Sequence, residues 1–259
     1  MAARDPIMSL LEVTSVAKRF SGIHALDDVS LTVDSGELVG LIGPNGAGKT
    51  TLFNCMCGVY PPDRGHISFD GHDLRGVSTY RRARLGIGRT FQRMELFGGM
   101  TVRDHLIVAR RAHARRGGVI RDLTLRSKPT ESELAAAGEA LELLGLDNDA
   151  ERHVEVLSLG RGRLVELARA LVTEPRLLLL DEPSSGLDTH ETAEMSEVLE
   201  RVNAERGTAI VLVEHDLTMV RRVARRLVCL DLGTVIAEGP TADVLALPAV
   251  RAAYLGETA

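Results

Sequence analysis

Gly43-Pro44-Asn45-Gly46-Ala47-Gly48-Lys49-Thr50 has the spacing of a phosphate-holding turn: a glycine, four residues, then Gly-Lys-Thr. Glycines let successive backbone N–H groups converge on phosphate oxygens, because no side chain intrudes. An apolar run precedes the turn, and a helix is expected behind it, opening at Thr51. The positive end of that helix adds to the attraction for an anion. In such a turn Lys49 reaches the β- and γ-phosphates of a nucleotide, and the Thr50 hydroxyl is a ligand for Mg²⁺.

Further along, the run 177–180 (LLLL) ends in Asp181-Glu182. A buried strand delivers such acids rigidly to its carboxyl end, where α/β sheets bind ligands. Asp181 is expected to hold Mg²⁺ through water, and Glu182 to face the attacking water as base or orienter. Gln92 follows Ile87-Gly88-Arg89-Thr90-Phe91, where its amide oxygen can reach Mg²⁺ and water. His215 closes the run AIVLVEH, able to donate to a γ-phosphate, and Asp216 is a cap for the next helix. Taken alone, the glutamine reads as a surface group and the histidine as a structural one. Ser158, in LSLGR, stands where a helix cap stands. Its hydroxyl, the Gly160 backbone and the helix dipole make a second anion cradle. One nucleotide needs one such loop, so a second suggests that two copies bind each other's ATP.

The elements that must position these groups are short. Residues 37–42 (ELVGLI), 177–180 and 209–213 (AIVLV) are continuous apolar runs ending in polar residues, the pattern of central parallel strands covered on both faces. Thr101 to Asp104 and Thr130 to Glu133 are capping patterns that open helices. Leu134, Ala137, Leu141 and Leu144 fall on one face of the second helix, and Gly145 stops it. Residues 115–129 read as a loop. The basic run 110–116 (RRAHARR) reads as a solvated helix face, with anionic lipid or an acidic partner loop as the other reading.

The chain has 259 residues, 44% of them hydrophobic, enough for one large domain. Its net charge of −5 argues against a dedicated nucleic-acid binder. No run approaches the roughly 18 apolar residues of a membrane span, and the N-terminus MAARDPIMSL lacks the apolar core of a signal peptide. Cys55, Cys57 and Cys229 do not have metal spacing and read as buried, reduced thiols.

Taken in order, GPNGAGKT, FQ, LSLGR, LLLLDE, SSGLD and VEHD resemble the Walker A motif, Q-loop, signature, Walker B motif, D-loop and switch histidine of ABC transporter ATPases. The resemblance covers almost the whole chain. It implies an α/β fold: a P-loop NTPase (RecA-like) core, an antiparallel β subdomain and an inserted α-helical subdomain. Residues 1–92 and 159–240 would form the core, 93–158 the helical subdomain and 241–259 a C-terminal extension. ATP and Mg²⁺ are the implied cofactors. Phe20 resembles the aromatic that stacks on adenine; Gly43 to Thr51 would hold the phosphates; Ser158 and Gly160 would contact the γ-phosphate on the partner subunit. Asp188 would couple the two sites, Gln92 would link nucleotide state to the permease, and Lys49, Gln92, Glu182 and His215 would carry catalysis, with Thr50, Gln92 and Asp181 on the metal.

The resemblance departs from the usual LSGGQ at Leu159 and Arg161. Three longer segments, VYPPDRGHISFDG, ARLGIGRTFQRMELFGGMTV and VIAEGP…VRAAYLGE, look similar to branched-chain amino acid importer ATPases, while urea importers and the lipopolysaccharide-export ATPase share parts of them. The implied assembly is a homodimer, or a heterodimer with a second ABC ATPase, serving membrane permease subunits from the cytoplasmic face and a solute-binding protein indirectly, without nucleic acid. The rival class, a soluble ABC ATPase acting on DNA or the ribosome, would carry two cassettes or a long coiled coil; here there is one cassette and no sustained heptad.

Overall fold

Apolar runs buried on both faces organise the fold of the computed structural model, which describes residues 9–90, 95–114 and 128–255. The runs become strands β3 (Leu38–Ile42), β7 (Leu177–Asp181) and β8 (Ala209–Val213), buried at every position. Leu178, Leu180, Ile210 and Leu212 enter one apolar cluster, and Leu177, Leu179, Val211 and Val213 the other. A period of two thus divides each leucine or valine run between two cores, which is why no polar residue interrupts it.

These strands belong to a six-stranded sheet ordered β10 (Thr234–Pro240), β9 (Arg226–Asp231), β3, β8, β7, β6 (Ile87–Arg89). All neighbours are parallel except the β9–β10 hairpin. A second, antiparallel sheet has the order β2 (Ile23–Val33), β1 (Leu11–Phe20), β4 (Arg64–Phe69), β5 (His72–Asp73). It closes one core over α1 (Lys49–Cys57). The chain is therefore α/β with the antiparallel sheet that was expected.

The other core is covered by helices. After α2 (Thr79–Leu85) come α3 (Val102–Ala114) and α4 (Glu131–Leu143), then α5 (Leu159–Leu171), α6 (Thr189–Arg206) and α7 (Leu217–Val223). Both capping patterns close as read. Asp104 N donates to Thr101 Oγ1 at 3.1 Å and Thr101 N to Asp104 Oδ2 at 3.2 Å. Thr130 and Glu133 exchange the same pair of bonds at the start of α4. Ala137, Leu141 and Leu144 are buried as expected, but Leu134 is exposed. Gly145 takes φ +64° just past the helix, as a stop requires.

The basic run differs from its reading as a solvated face. Arg111 is only 3% exposed and makes two hydrogen bonds to Glu133, Nε–Oε1 at 3.1 Å and Nη2–Oε2 at 3.0 Å. Arg110 reaches the Val172 carbonyl and Glu174. The run therefore bonds α3 to its neighbours rather than presenting a continuous charged face; residues 115–127 lie outside the described segments. Beyond β10, α8 (Thr241–Ala246) and α9 (Pro248–Leu255) pack back on the sheet end.

Candidate active site

The phosphate-type loop connects β3 to α1, so its place is set by the central strand of the sheet. The helix begins earlier than expected, at Lys49, which puts Lys49 and Thr50 in its first turn. No side chain caps α1 and no acid stands in that turn, leaving its first N–H groups for an external anion. Gly43 has φ +150°, and a Cβ there would lie 2.2 Å from the Leu230 carbonyl oxygen. At Gly46 (φ +83°) a Cβ would meet nothing within 4 Å. The first glycine is demanded by packing; the second borders open space of the kind a phosphate fills.

Lys49 is 6% exposed, and its ammonium donates to the carbonyls of Gly43 at 2.6 Å and Pro44 at 3.0 Å. Burial pulls its pKa below the ordinary lysine value, while Glu182 and Asp181 pull the other way. The cation is thus held at the loop with the two acids near. Asp181 ends β7, 7% exposed, and its Oδ1 is buried with no hydrogen-bond partner. Burial, then the neighbouring Glu182, pushes its carboxyl above the ordinary aspartate value. A buried carboxylate oxygen lacking a donor fits a site completed by a hydrated cation.

Glu182 follows in a left-handed conformation, φ +51°, rare for a residue with a side chain. Its amide donates to the Val213 carbonyl at 2.9 Å, tying it to the neighbouring strand. The turn sends its side chain to His215, whose Nε2 lies 2.7 Å from Glu182 Oε1. The two candidate catalytic groups, 33 residues apart, are thereby brought together. His215 sits two residues beyond the end of β8 rather than in the strand itself.

Glu214, between them in sequence, is 2% exposed and was missed by the motif reading. Its carboxylate accepts from Ser184 N at 2.8 Å and His215 N at 2.9 Å, so one buried acid holds both the turn after Glu182 and the backbone of His215. A buried acid directly after an apolar strand was the signal that could have found it.

Phe20 ends β1 with its ring 39% exposed, set edge-on to Tyr60 with centroids 5.2 Å apart and Lys18 Nζ 5.5 Å from its own centroid. Its open face suits stacking of a flat base. Gln92, with Phe91, lies outside the described residues.

At the second candidate cradle the helix cap forms as read. Ser158 caps α5, its hydroxyl accepting from Arg161 N at 3.3 Å. Asp188 caps α6 in a reciprocal box with Glu191, and Asp216 caps α7. The donors Ser158 Oγ and Gly160 N both go to Glu191 Oε1, at 3.2 and 3.1 Å, and not to the 43–51 loop. Arg161 turns away from this cradle. It bonds Asp149 Oδ2 at 2.7 and 2.5 Å, Glu194 Oε1 at 3.1 Å and the Gly145 carbonyl at 2.6 Å. A last contact had no counterpart in the motif reading: Gly43 N donates to the Tyr254 hydroxyl at 3.0 Å, which joins α9 to the phosphate-type loop.

Known proteins resemble this chain in sequence and in fold. The family described as ABC transporter matches residues 26–185. The chain is 39% identical over 251 residues to the high-affinity branched-chain amino acid transport ATP-binding protein LivG of Salmonella typhimurium, covering 96% of this chain and 98% of that one. It is 36% identical, with the same coverage, to the corresponding protein BraF of Pseudomonas aeruginosa. Among solved structures, the ADP conformation of an ATP-binding cassette of an ABC transporter superposes with a TM-score of 0.85 at 32% identity, covering 96% of this chain and all of that one (100%).

Proposed function

We propose, on the premise that this chain belongs to the ABC transporter family of ATP-binding proteins, that it powers import of branched-chain amino acids through separate permease subunits. The chain is an ATP-hydrolysing subunit of such a transporter. Among the described residues no helix is long and apolar enough to cross a membrane. Relatives named as branched-chain amino acid transport ATP-binding proteins support the transport role, and in this proposal the chain works at the cytoplasmic face on permease partners. A cavity of about 270 Å³, with an apolar wall that includes Ile87, Ala109 and Ala170 and charged groups Arg84, Arg89 and Glu166 also in its lining, lies between the sheet and the helical segment. A permease segment would fit there, close to the strand that leads to Gln92.

One observation carries the chemistry: the 2.7 Å contact between Glu182 and His215, beside a buried lysine on an uncapped helix start. ATP would lie with its base against Phe20 and its phosphates over residues 43–51. Lys49 would exchange its two loop carbonyls for phosphate oxygens. Thr50, Asp181 and Gln92 would hold Mg²⁺, which when bound neutralises charge between the β- and γ-phosphates. Glu182 would orient the attacking water and take its proton, while His215, which holds that carboxylate here, would turn its N–H from Glu182 toward the γ-phosphate once nucleotide is bound.

In this reading Ser158 and Gly160 bind the nucleotide of a partner subunit, which is the reason for two cradles on one chain. Two cassettes would close head to tail around two ATP molecules, with Asp188 at the seam. The partner would be a second copy or a homologous subunit. The test is Glu182→Gln: ATP stays bound and subunits pair, while turnover falls by about 10²–10⁴-fold, the range for loss of a general base. Unimpaired turnover would remove Glu182 from the mechanism.

A further inference from the structure

Glu191 is not among the residues that the motifs assign to catalysis, yet its carboxylate occupies the turn assigned to a partner's phosphate. A single oxygen, Oε1, accepts from both Ser158 Oγ and Gly160 N, at 3.2 and 3.1 Å. The approach depends on glycine: a Cβ at position 160 would stand 2.7 Å from that oxygen. The carboxylate also faces the N-terminus of α5, where the helix dipole favours an anion.

We infer that Glu191 is a resident anion of the Ser158–Gly160 turn, which the phosphate of incoming nucleotide must displace, so that this residue sets the ATP concentration at which two subunits pair. The argument is one of proton count. Ser158 has one hydroxyl proton and Gly160 one amide proton, and both are committed to Glu191 Oε1. A phosphate oxygen needs the same two donors, and its charge repels the carboxylate already there. The two occupants exclude each other. Departure of the side chain leaves α6 capped, because the bond from Glu191 N to Asp188 Oδ1, 2.8 Å, is made by backbone and not by the carboxylate. The side chain gives up only its 3.4 Å contact with Asp188 N. The gate therefore opens without unwinding the helix that carries it.

The inference rests on the pairing described under Proposed function, and two measurements keep their failures apart. The first needs only the single subunit. Ser158→Cys places a thiol in the turn; the native Cys55, Cys57 and Cys229 are buried, with burial pushing each thiol up to about 11, and stay silent. A carboxylate beside the new thiol disfavours its thiolate. Adding Glu191→Gln should therefore speed labelling by iodoacetamide at about pH 7.5 by about tenfold and shift the pH–rate profile to lower pH. Equal rates would overturn the inference. The second compares Glu182→Gln with Glu182→Gln/Glu191→Ala by analytical ultracentrifugation across ATP concentrations. Half-maximal pairing should need several-fold less ATP in the double variant, with Glu182→Gln/Glu191→Gln between the two. An unchanged or higher requirement would also overturn it. If Glu182→Gln never pairs with itself, the pairing reading falls for a homodimer, and the labelling result alone decides the role of Glu191.

Discussion

Lys49 is the residue on which the nucleotide reading turns. Its ammonium is buried at the loop and satisfied by two carbonyls that phosphate would replace. Lys49→Ala should weaken ATP binding by about 2–4 kcal/mol, the scale of losing one preorganised charged donor, as isothermal titration would read. ATP held as tightly as before would end the assignment. Arg161 tests the opposite expectation. Its guanidinium serves Asp149, Glu194 and Gly145, none of them in the phosphate turn. Arg161→Gln should cost about 1–3 kcal/mol in urea unfolding and leave ATP turnover within about tenfold of the parent. At this scale the sequence was legible where the proposed chemistry is contiguous: residues 43–50, 181–182 and 158–160 carry their candidate roles in adjacent letters. Glu214, Glu191 and Tyr254 were missed because each acts on a backbone or side chain supplied by another element. For Glu191 a trace existed, since Asp188-x-x-Glu191 has capping-box spacing, but nothing in that spacing said that the carboxylate also reaches position 160.

Among elements, the join of α3 to α4 is the sharpest departure from the pattern. The basic run 110–116 put Arg111 on a solvated helix face, whereas it pairs with the glutamate of the next helix's capping box. A pair separated by 22 residues with a loop between has no signature at helical spacing. The pair is 3% and 8% exposed, so Glu133→Gln strands a buried guanidinium and should cost about 3–5 kcal/mol in urea unfolding at neutral pH. Burial alone would raise the Glu133 carboxyl, but its bonds from Arg111 and Thr130 outweigh that and hold it below the ordinary value. A depressed acid stabilises above its unfolded pKa and loses that contribution as pH falls through the folded one. The gap between parent and Glu133→Gln should therefore narrow once the pH drops below about 4. Strands β3, β7 and β8, by contrast, were readable to within a residue, because burial on both faces leaves an unbroken apolar run; the half-exposed strands of the antiparallel sheet leave no such run and were not read. Tyr254 is an element-scale link as well. Tyr254→Phe keeps the ring and removes the acceptor for Gly43 N. KM for ATP should rise several-fold with kcat little changed; an unaltered KM would make the contact incidental.

For the molecule as a whole, the architecture and family were carried by motif order, and the structure and its relatives agree with both. The transported solute is a different matter, since none of the motifs in this chain addresses one. A strain lacking this protein should lose uptake of labelled leucine, isoleucine and valine while keeping urea uptake. Loss of urea alone would reassign the importer.

The topology also has a temporal side. β3, which leads into the nucleotide loop, pairs only with β8 and β9, and the loop's own amide is met by a tyrosine 211 residues downstream. At about 5–20 residues per second of synthesis, that tyrosine follows Gly43 out of the ribosome by roughly 10–40 s. For the earlier part of that interval, until residues 209–213 emerge, the strand has both edges bare, a template for pairing with another nascent copy. The site whose motif is translated early is thus assembled late, and a chain released before residue 209 would carry the letters of the nucleotide loop without its shape.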